Sequence, residues 1–236
     1  MIPDFLSNAL ASLGNKPADG AKQADKKRYS ELLSASVALA FAKEFRDRGL
    51  VGTRPFTKGE AKATGGERRM AGGIGAKKAD VTWSTDESGL LLGVSIKSIN
   101  FRDVRSKNYQ KNLTNRRGDL LFESVTLHRR FPYAVLAGFL FFDAGAASDG
   151  SATRRSTFEN AHLRLRLFTG RDDPGGRDEQ YERLYIVLHR TTATKGKRFK
   201  VFLAGDPTHP VDLSDLIADL LHPLLQLSIE APGQYE

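Results

Sequence analysis

The sequence has no cysteine and no long apolar run. Among 236 residues there are also only two methionines and one tryptophan. Without cysteine the chain has no disulfides, thiolate metal sites or cysteine nucleophiles, so any metal must bind to oxygen or histidine. No charged segment followed by an apolar one begins the chain, and no stretch reaches the roughly 18 apolar residues of a membrane span. We therefore expect a cytoplasmic protein without membrane contact.

Positive charge is concentrated in the middle of the chain, and the formal net charge is +8. Residues 54–78 contain seven Lys or Arg against two acids, residues 97–130 contain nine against three, and residues 206–236 contain none against six. A basic stripe of this kind suits a phosphate backbone, because each neutralised phosphate releases counterions. The distribution favours a nucleic-acid partner, although a solvated basic surface has the same composition.

The first third of the chain predicts helices and a loop. Hydrophobic residues make up 40% and charged residues 27% of the chain, which is typical of a folded domain. We expect a short helix over residues 4–13, a polar linker over 14–28 and a longer helix from near Ser30 to Gly49. Residues 52–79 are rich in glycine and basic residues, which indicates a mobile loop.

The rest of the chain alternates strands and helices. We expect a hairpin from residues 79–83 and 90–97, then a helix over 109–129 and an apolar strand over 133–142. Four more elements follow, namely a helix near 155–168, strands near 183–189 and 199–203, and a final helix from Asp212. The order αββαβαββα predicts one α/β domain in which helices flank a mixed sheet.

Three polar residues of the predicted hairpin are the candidates for a catalytic role. Asp80 lies on its first strand, and Ser95 and Lys97 share one face of the second, because side chains alternate along a strand. A carboxylate that holds a divalent cation, beside an ammonium that stabilises developing negative charge, is a minimal set for phosphodiester hydrolysis. The structural alternatives are a turn residue for Asp80 and a solvated strand end for Lys97.

This pattern, Asp80 followed after fourteen residues by Ser95-Ile96-Lys97 at the end of an apolar strand, resembles the PD-(D/E)XK nuclease superfamily. The resemblance implies a restriction-endonuclease-like fold whose αββαβ core spans about residues 30–142, with a C-terminal extension over 143–236. The nuclease domain would cover residues 29–236, after an N-terminal helix and linker over 1–28. The resemblance further implies Mg²⁺ or Mn²⁺ and a type II restriction or phage-defence endonuclease that cuts DNA, with a duplex as the expected substrate.

At Ser95 the sequence departs from the family, which has Asp or Glu there. It resembles a subset of restriction enzymes with Ser-x-Lys, which implies that the following helix supplies the missing carboxylate. At about 100° per residue, four polar side chains of that helix fall within about 60° of one another: Asn112, Arg116, Asp119 and Glu123. We expect Glu123, or as second choice Asp119, to join Asp80 as a metal ligand. The alternative is that both acids form surface ion pairs.

Six basic residues follow the motif and are predicted to contact the nucleic-acid backbone: Arg102, Arg105, Lys107, Lys111, Arg116 and Arg117. They would position phosphates and would not select bases. The C-terminal segment from Asp212 predicts an amphipathic helix, bent or broken at Pro223, with an apolar band along one side. That band either packs on the sheet or forms a homodimer, which would place two active sites on the two strands of a duplex.

Two alternatives to a DNA endonuclease remain. One is a catalytically inactive nucleic-acid-binding module that keeps the fold, because an acidic ligand is missing at Ser95. The other is an RNase or a single-strand-specific nuclease, because a fold does not fix its substrate.

Overall fold

Five α-helices and eight β-strands make up the described part of the chain. A computed structural model of the protein describes residues 2–57, 68–71, 76–191 and 199–230. The helices are α1 (Ile2–Ser12), α2 (Gln23–Asp47), α3 (Leu113–His128), α4 (Thr157–Leu165) and α5 (Leu213–Glu230). The strands are β1 (Arg68–Ala71), β2 (Ala76–Ala79), β3 (Val81–Thr85), β4 (Gly89–Ile99), β5 (Val135–Asp143), β6 (Arg183–His189), β7 (Phe199–Leu203) and β8 (Pro210–Val211).

Strands β3 to β8 form one mixed sheet, in which their spatial order follows their order along the chain. The β3–β4 pair is an antiparallel hairpin, and the β4–β5 and β5–β6 pairs are parallel. Parallel neighbours need a crossover connection, which contains α3 for the first pair and α4 for the second. Strands β7 and β8 continue the sheet in antiparallel pairing. The predicted mixed sheet flanked by helices is therefore confirmed.

The helices cover both faces of the sheet. Helices α1, α2 and α5 share one apolar core with one face, and α3 and α4 share a second core with the other. Because side chains alternate along a strand, Leu92, Val94 and Ile96 of β4 enter the first core. Ser95 and Lys97 consequently point to the opposite face, where α3 lies. The alternation of side chains along β4 therefore determines that Ser95 and Lys97 face α3.

Two predictions for the first third of the chain were wrong, namely the start of a helix and the extent of a loop. The helix expected from near Ser30 begins at Gln23, because residues 23–28 are mostly good helix formers whose polarity alone suggested a linker. The loop expected over residues 52–79 contains the antiparallel β1–β2 pair. Its segments RRMA and AKKA have no β-branched residue, so they give almost no strand signal. Residues 58–67 and 72–75 of that predicted loop lie outside the described residues.

The C-terminal apolar band packs on its own chain. Leu216, Ile217 and Leu220 of α5 are fully buried in the same core as α1, α2 and the sheet. This part of the band is therefore covered without a second copy and gives no surface for the expected homodimer, which stays a prediction. Helix α5 is continuous through Pro223, so of the two predicted effects of this proline the break was wrong and the bend stays a prediction.

The N-terminal helix belongs to the same core, in which Leu6 and Leu10 of α1 are buried. Within the described ranges, no helix combines the length and the hydropathy needed to cross a membrane.

Candidate active site

Lys97 and Glu123 form a close ion pair between the sheet and α3. The ammonium of Lys97 donates a hydrogen bond to Glu123 Oε1 at 2.6 Å. Both side chains are largely withdrawn from solvent, with exposed fractions of 14% and 9% respectively. The second carboxylate oxygen, Glu123 Oε2, is buried and has no hydrogen-bond partner within the described residues. Because a buried carboxylate oxygen without a partner is costly, this atom is suited to a ligand.

Asp80 lies where β2 meets β3, opposite the middle of β4. Its carboxylate oxygen Oδ2 accepts a hydrogen bond from the backbone N–H of Ile96 at 2.6 Å. Its own N–H donates to the carbonyl of Val94 at 3.0 Å. The hairpin therefore holds Asp80 beside the residues that precede Lys97, as the motif predicted.

A buried tyrosine lies near the two carboxylates, and no pattern in the sequence indicates it. The hydroxyl of Tyr181, just before β6, donates to the carbonyl of Leu120 on α3 at 2.9 Å. Burial raises the pKa of Tyr181 well above its usual value, and the charges of Glu123 and Asp80 add to the shift. The phenol therefore stays protonated and lies near both acids.

Ser95 supports this tyrosine. Its hydroxyl is buried and hydrogen-bonds to the Tyr181 phenol, which partly opposes the rise in pKa. Gly138 lies opposite Ser95 on β5. A Cβ on this glycine would come within 2.5 Å of Leu184, so the Leu184 side chain occupies that space, and the Tyr181 ring would lie in van der Waals contact at 3.4 Å. Ser95 thus acts on the position of Tyr181.

Asp119 lies outside this group. Its side chain is 46% exposed and accepts a hydrogen bond from Arg116 at 3.1 Å, three residues earlier on α3. The surface ion pair that was the structural alternative therefore describes Asp119, whereas Glu123 faces Lys97. Of the two predicted helix carboxylates, the structure brings Glu123 to the motif.

A groove of about 900 Å³ opens at the end of β4. Lys97 lines its floor, together with the following residues of the strand up to Asn100. The first turns of α2 form one wall, and the segment 101–116 forms the other. Asp80, Ser95 and Glu123 lie behind Lys97 and do not line the groove, so Lys97 connects the carboxylates with this space.

Four of the six predicted backbone contacts line the groove, namely Arg102, Arg105, Lys111 and Arg116. Lys107 and Arg117 do not. The ammonium of Lys111 donates to Asp103 at 2.7 Å, and this hydrogen bond is the main cause of the lowered pKa of Asp103. Arg105 is exposed and makes no ion pair with any residue that the structure describes. The predicted contacts do not include Lys26 and Lys27, which also line the groove, because the polarity of their segment indicates a linker.

The wall that follows β4 is fixed by a buried polar network. Asp143 accepts from Lys16 at 2.8 Å and from the hydroxyl of Tyr109 at 2.9 Å. Burial opposes the ionisation of Asp143, but these donors and the N–H of Gly145 lower its pKa overall. His189 hydrogen-bonds to Asn100 at 2.9 Å, and burial lowers its pKa to about 4, so it is neutral near pH 7.

The donors present suit Mg²⁺ or Mn²⁺ only as a site that the substrate completes. Within the described residues, no three Asp, Glu or His side chains gather to hold a metal. Mg²⁺ in phosphoryl-transfer sites commonly uses one or two carboxylates together with water and substrate phosphate oxygens. Glu123 Oε2 is a carboxylate oxygen without a partner among the described residues, and Asp80 lies near the same tyrosine as Glu123, so the two acids fit that pattern.

No protein-family model, curated protein or solved structure matches the chain.

Removing the hydroxyl of Tyr181 should slow any metal-dependent reaction at this site. In Tyr181→Phe, α3 loses its tie to the phenol at Leu120, so Glu123 is held less closely to Lys97. A small misplacement of a reacting group can cost about a hundredfold in rate. We expect a tenfold to hundredfold lower rate with a higher Mg²⁺ concentration at half saturation, measured by titrating the metal.

Tyr185→Phe is the matched control, because Tyr185 is equally buried but its hydroxyl donates to Asp219 of α5 on the other side of the sheet. This variant should lose stability by a similar amount, about 1–3 kcal/mol, and keep its metal dependence. An unchanged metal titration in Tyr181→Phe would remove Tyr181 from the site.

Proposed function

We propose that the chain is a divalent-metal-dependent endonuclease that hydrolyses DNA phosphodiester bonds, of the restriction or phage-defence kind. The observation that carries the proposal is the Lys97–Glu123 pair, which joins a partnerless buried carboxylate oxygen to a basic groove. The order of α2, the β3–β4 hairpin, α3 and the parallel strand β5 agrees with the αββαβ core of the PD-(D/E)XK superfamily. That agreement supports the assignment of the fold.

The roles of the residues follow from their placement. Asp80 and Glu123 would hold the metal ion, which when bound supplies Lewis-acid stabilisation of charge on the scissile phosphate. Lys97 lies between Glu123 and the groove, so its ammonium can approach a phosphate oxygen and stabilise the charge that develops there. Ser95 and Tyr181 position the acids, and the cations of segment 101–116 bind neighbouring phosphates.

A catalytically inactive nucleic-acid-binding module is the second candidate. It is favoured by the ion pair itself, because Lys97 already neutralises Glu123, and because the described residues bring no cluster of three acids or histidines to the site. Such a protein would bind nucleic acid through the same groove without cutting it.

Metal removal tests the proposal. The purified chain should cleave DNA in Mg²⁺ or Mn²⁺ and should lose all activity in EDTA, with RNA digested in parallel to identify an RNase. Asp80→Asn, purified in the same way, controls for contaminating nucleases, because it keeps an oxygen for the Ile96 N–H and removes one charge. We expect its rate to fall at least about a hundredfold. Equal activity in EDTA, or in Asp80→Asn, would refute the site, and binding without cleavage would favour the inactive module.

A further inference from the structure

The groove is basic on both walls. Lys26 and Lys27 line it from α2, and four of the predicted phosphate-binding cations line it from segment 101–116. Among the lining residues the acids are Glu31 and Asp103, which pair with Lys27 at 3.7 Å and with Lys111 at 2.7 Å respectively, so the cations outnumber the acids. A phosphate backbone in the groove would therefore meet positive charge on both sides, with Lys97 beneath it.

The two walls are tied to each other. Between α1 and α2, Lys16 donates to the carbonyl of Asn100 at 2.8 Å. Asp19 accepts from the N–H of Arg102 at 3.1 Å and, through its carbonyl, from Lys26 at 3.1 Å. These bonds connect the start of α2 with the segment that follows β4, so they oppose widening of the groove.

The size and the lining of the groove suit one unpaired strand. Its volume of about 900 Å³ falls within the roughly 300–1,000 Å³ of sites that enclose small ligands, which corresponds to a few nucleotides and not to a duplex. Proteins that bind single strands combine a basic groove with aromatic side chains, and the partly exposed Phe101 lines this one.

We propose that the substrate is a single-stranded nucleic acid, or the unpaired region of a duplex, held between α2 and segment 101–116 with its backbone against Lys97. This inference rests on the proposed nuclease function and narrows its substrate, in place of the duplex expected from the family resemblance. Lys27 is assigned to the backbone contact because its side chain is 72% exposed on the α2 wall.

Equilibrium binding in EDTA tests the inference without depending on cleavage. Labelled oligonucleotides of one sequence, as single-stranded DNA, single-stranded RNA and blunt duplex DNA, are titrated with the full chain over a range of salt concentrations. Both single strands should bind at least tenfold more tightly than the duplex if the groove recognises the unpaired backbone. If DNA alone does so, the substrate is an unpaired DNA strand. Equal or tighter binding of the duplex would overturn the inference.

Lys27→Ala and Lys43→Ala form a matched pair. Each removes one lysine of α2 that pairs with an acid four residues later, and Lys43 lies about 24 Å further along the helix. Lys27→Ala should weaken single-strand binding roughly tenfold and lower the salt slope by about 0.7. Lys43→Ala should change neither, and equal effects of the two variants would contradict the assignment of the α2 wall.

Cleavage is measured separately in Mg²⁺. Preferential single-strand binding without cleavage would support the groove as a single-strand binding site and refute the nuclease. Cleavage of duplexes with no preference for single strands would support the nuclease and refute the single-strand substrate.

Discussion

Lys97→Met should abolish cleavage and also destabilise the fold. Methionine keeps the aliphatic length of the side chain but removes the ammonium that lies between Glu123 and the groove. Loss of one group that stabilises developing charge typically costs about 10²–10³ in rate. Glu123 would in addition be left as a buried charge without a partner, which costs about 3 kcal/mol. Single-turnover cleavage and the urea midpoint of unfolding measure the two effects.

The double variant Lys97→Met, Glu123→Gln separates catalysis from stability. A neutral amide at position 123 no longer needs a counter-charge, so most of the lost stability should return. Cleavage should stay at the background rate, because neither the ammonium nor the carboxylate is present. If activity returned together with stability, the ion pair would serve the fold alone, and the active site would have to lie elsewhere.

Elements with a strong local pattern could be predicted from the sequence. The run GLLLGVSIKSI is rich in apolar residues and directly follows a short polar turn, so both β4 and the hairpin were expected. The placement of Lys97 on the face opposite Ile96 also follows, because alternation along a strand is a local property. Helix α2 shows the limit of such patterns, since its first turns are polar and were assigned to a linker.

Contacts between distant segments could not be predicted. The bond from Tyr181 to Leu120 joins residues that are 61 positions apart, and nothing distinguishes Tyr181 from the other tyrosines in the sequence. The tie between Lys16 and Asp143 spans 127 positions. Such contacts depend on the strand order of the sheet and on which helix covers each face, and hydrophobic periodicity gives neither. For this reason the motif could be predicted from the sequence, whereas the tyrosine that supports it and the α2 wall of its groove could not.

Glu123→Gln should lower the cleavage rate by about 10²–10³. The substitution keeps the shape of the side chain and an oxygen that can accept from Lys97, but it removes the charge with which Oε2 would bind a metal. Because Glu123 is only 9% exposed, solvent cannot take the place of the missing carboxylate charge. The loss should appear in the rate and in the Mg²⁺ concentration at half saturation, and DNA binding in EDTA should change little.

Asp119→Asn is the matched control on the same helix, because it also neutralises an acid that is bonded to a cation. Asp119 is 46% exposed, and its pair with the exposed Arg116 contributes at most a few tenths of a kcal/mol. We therefore expect this variant to cleave DNA within about twofold of the parent rate, which corresponds to less than about 0.5 kcal/mol. A large loss in Asp119→Asn with little change in Glu123→Gln would mean that Asp119, and not Glu123, is the metal ligand. Full activity in both variants would show that α3 supplies no metal ligand, and Asp80 would then have to hold the ion without an acid from this helix.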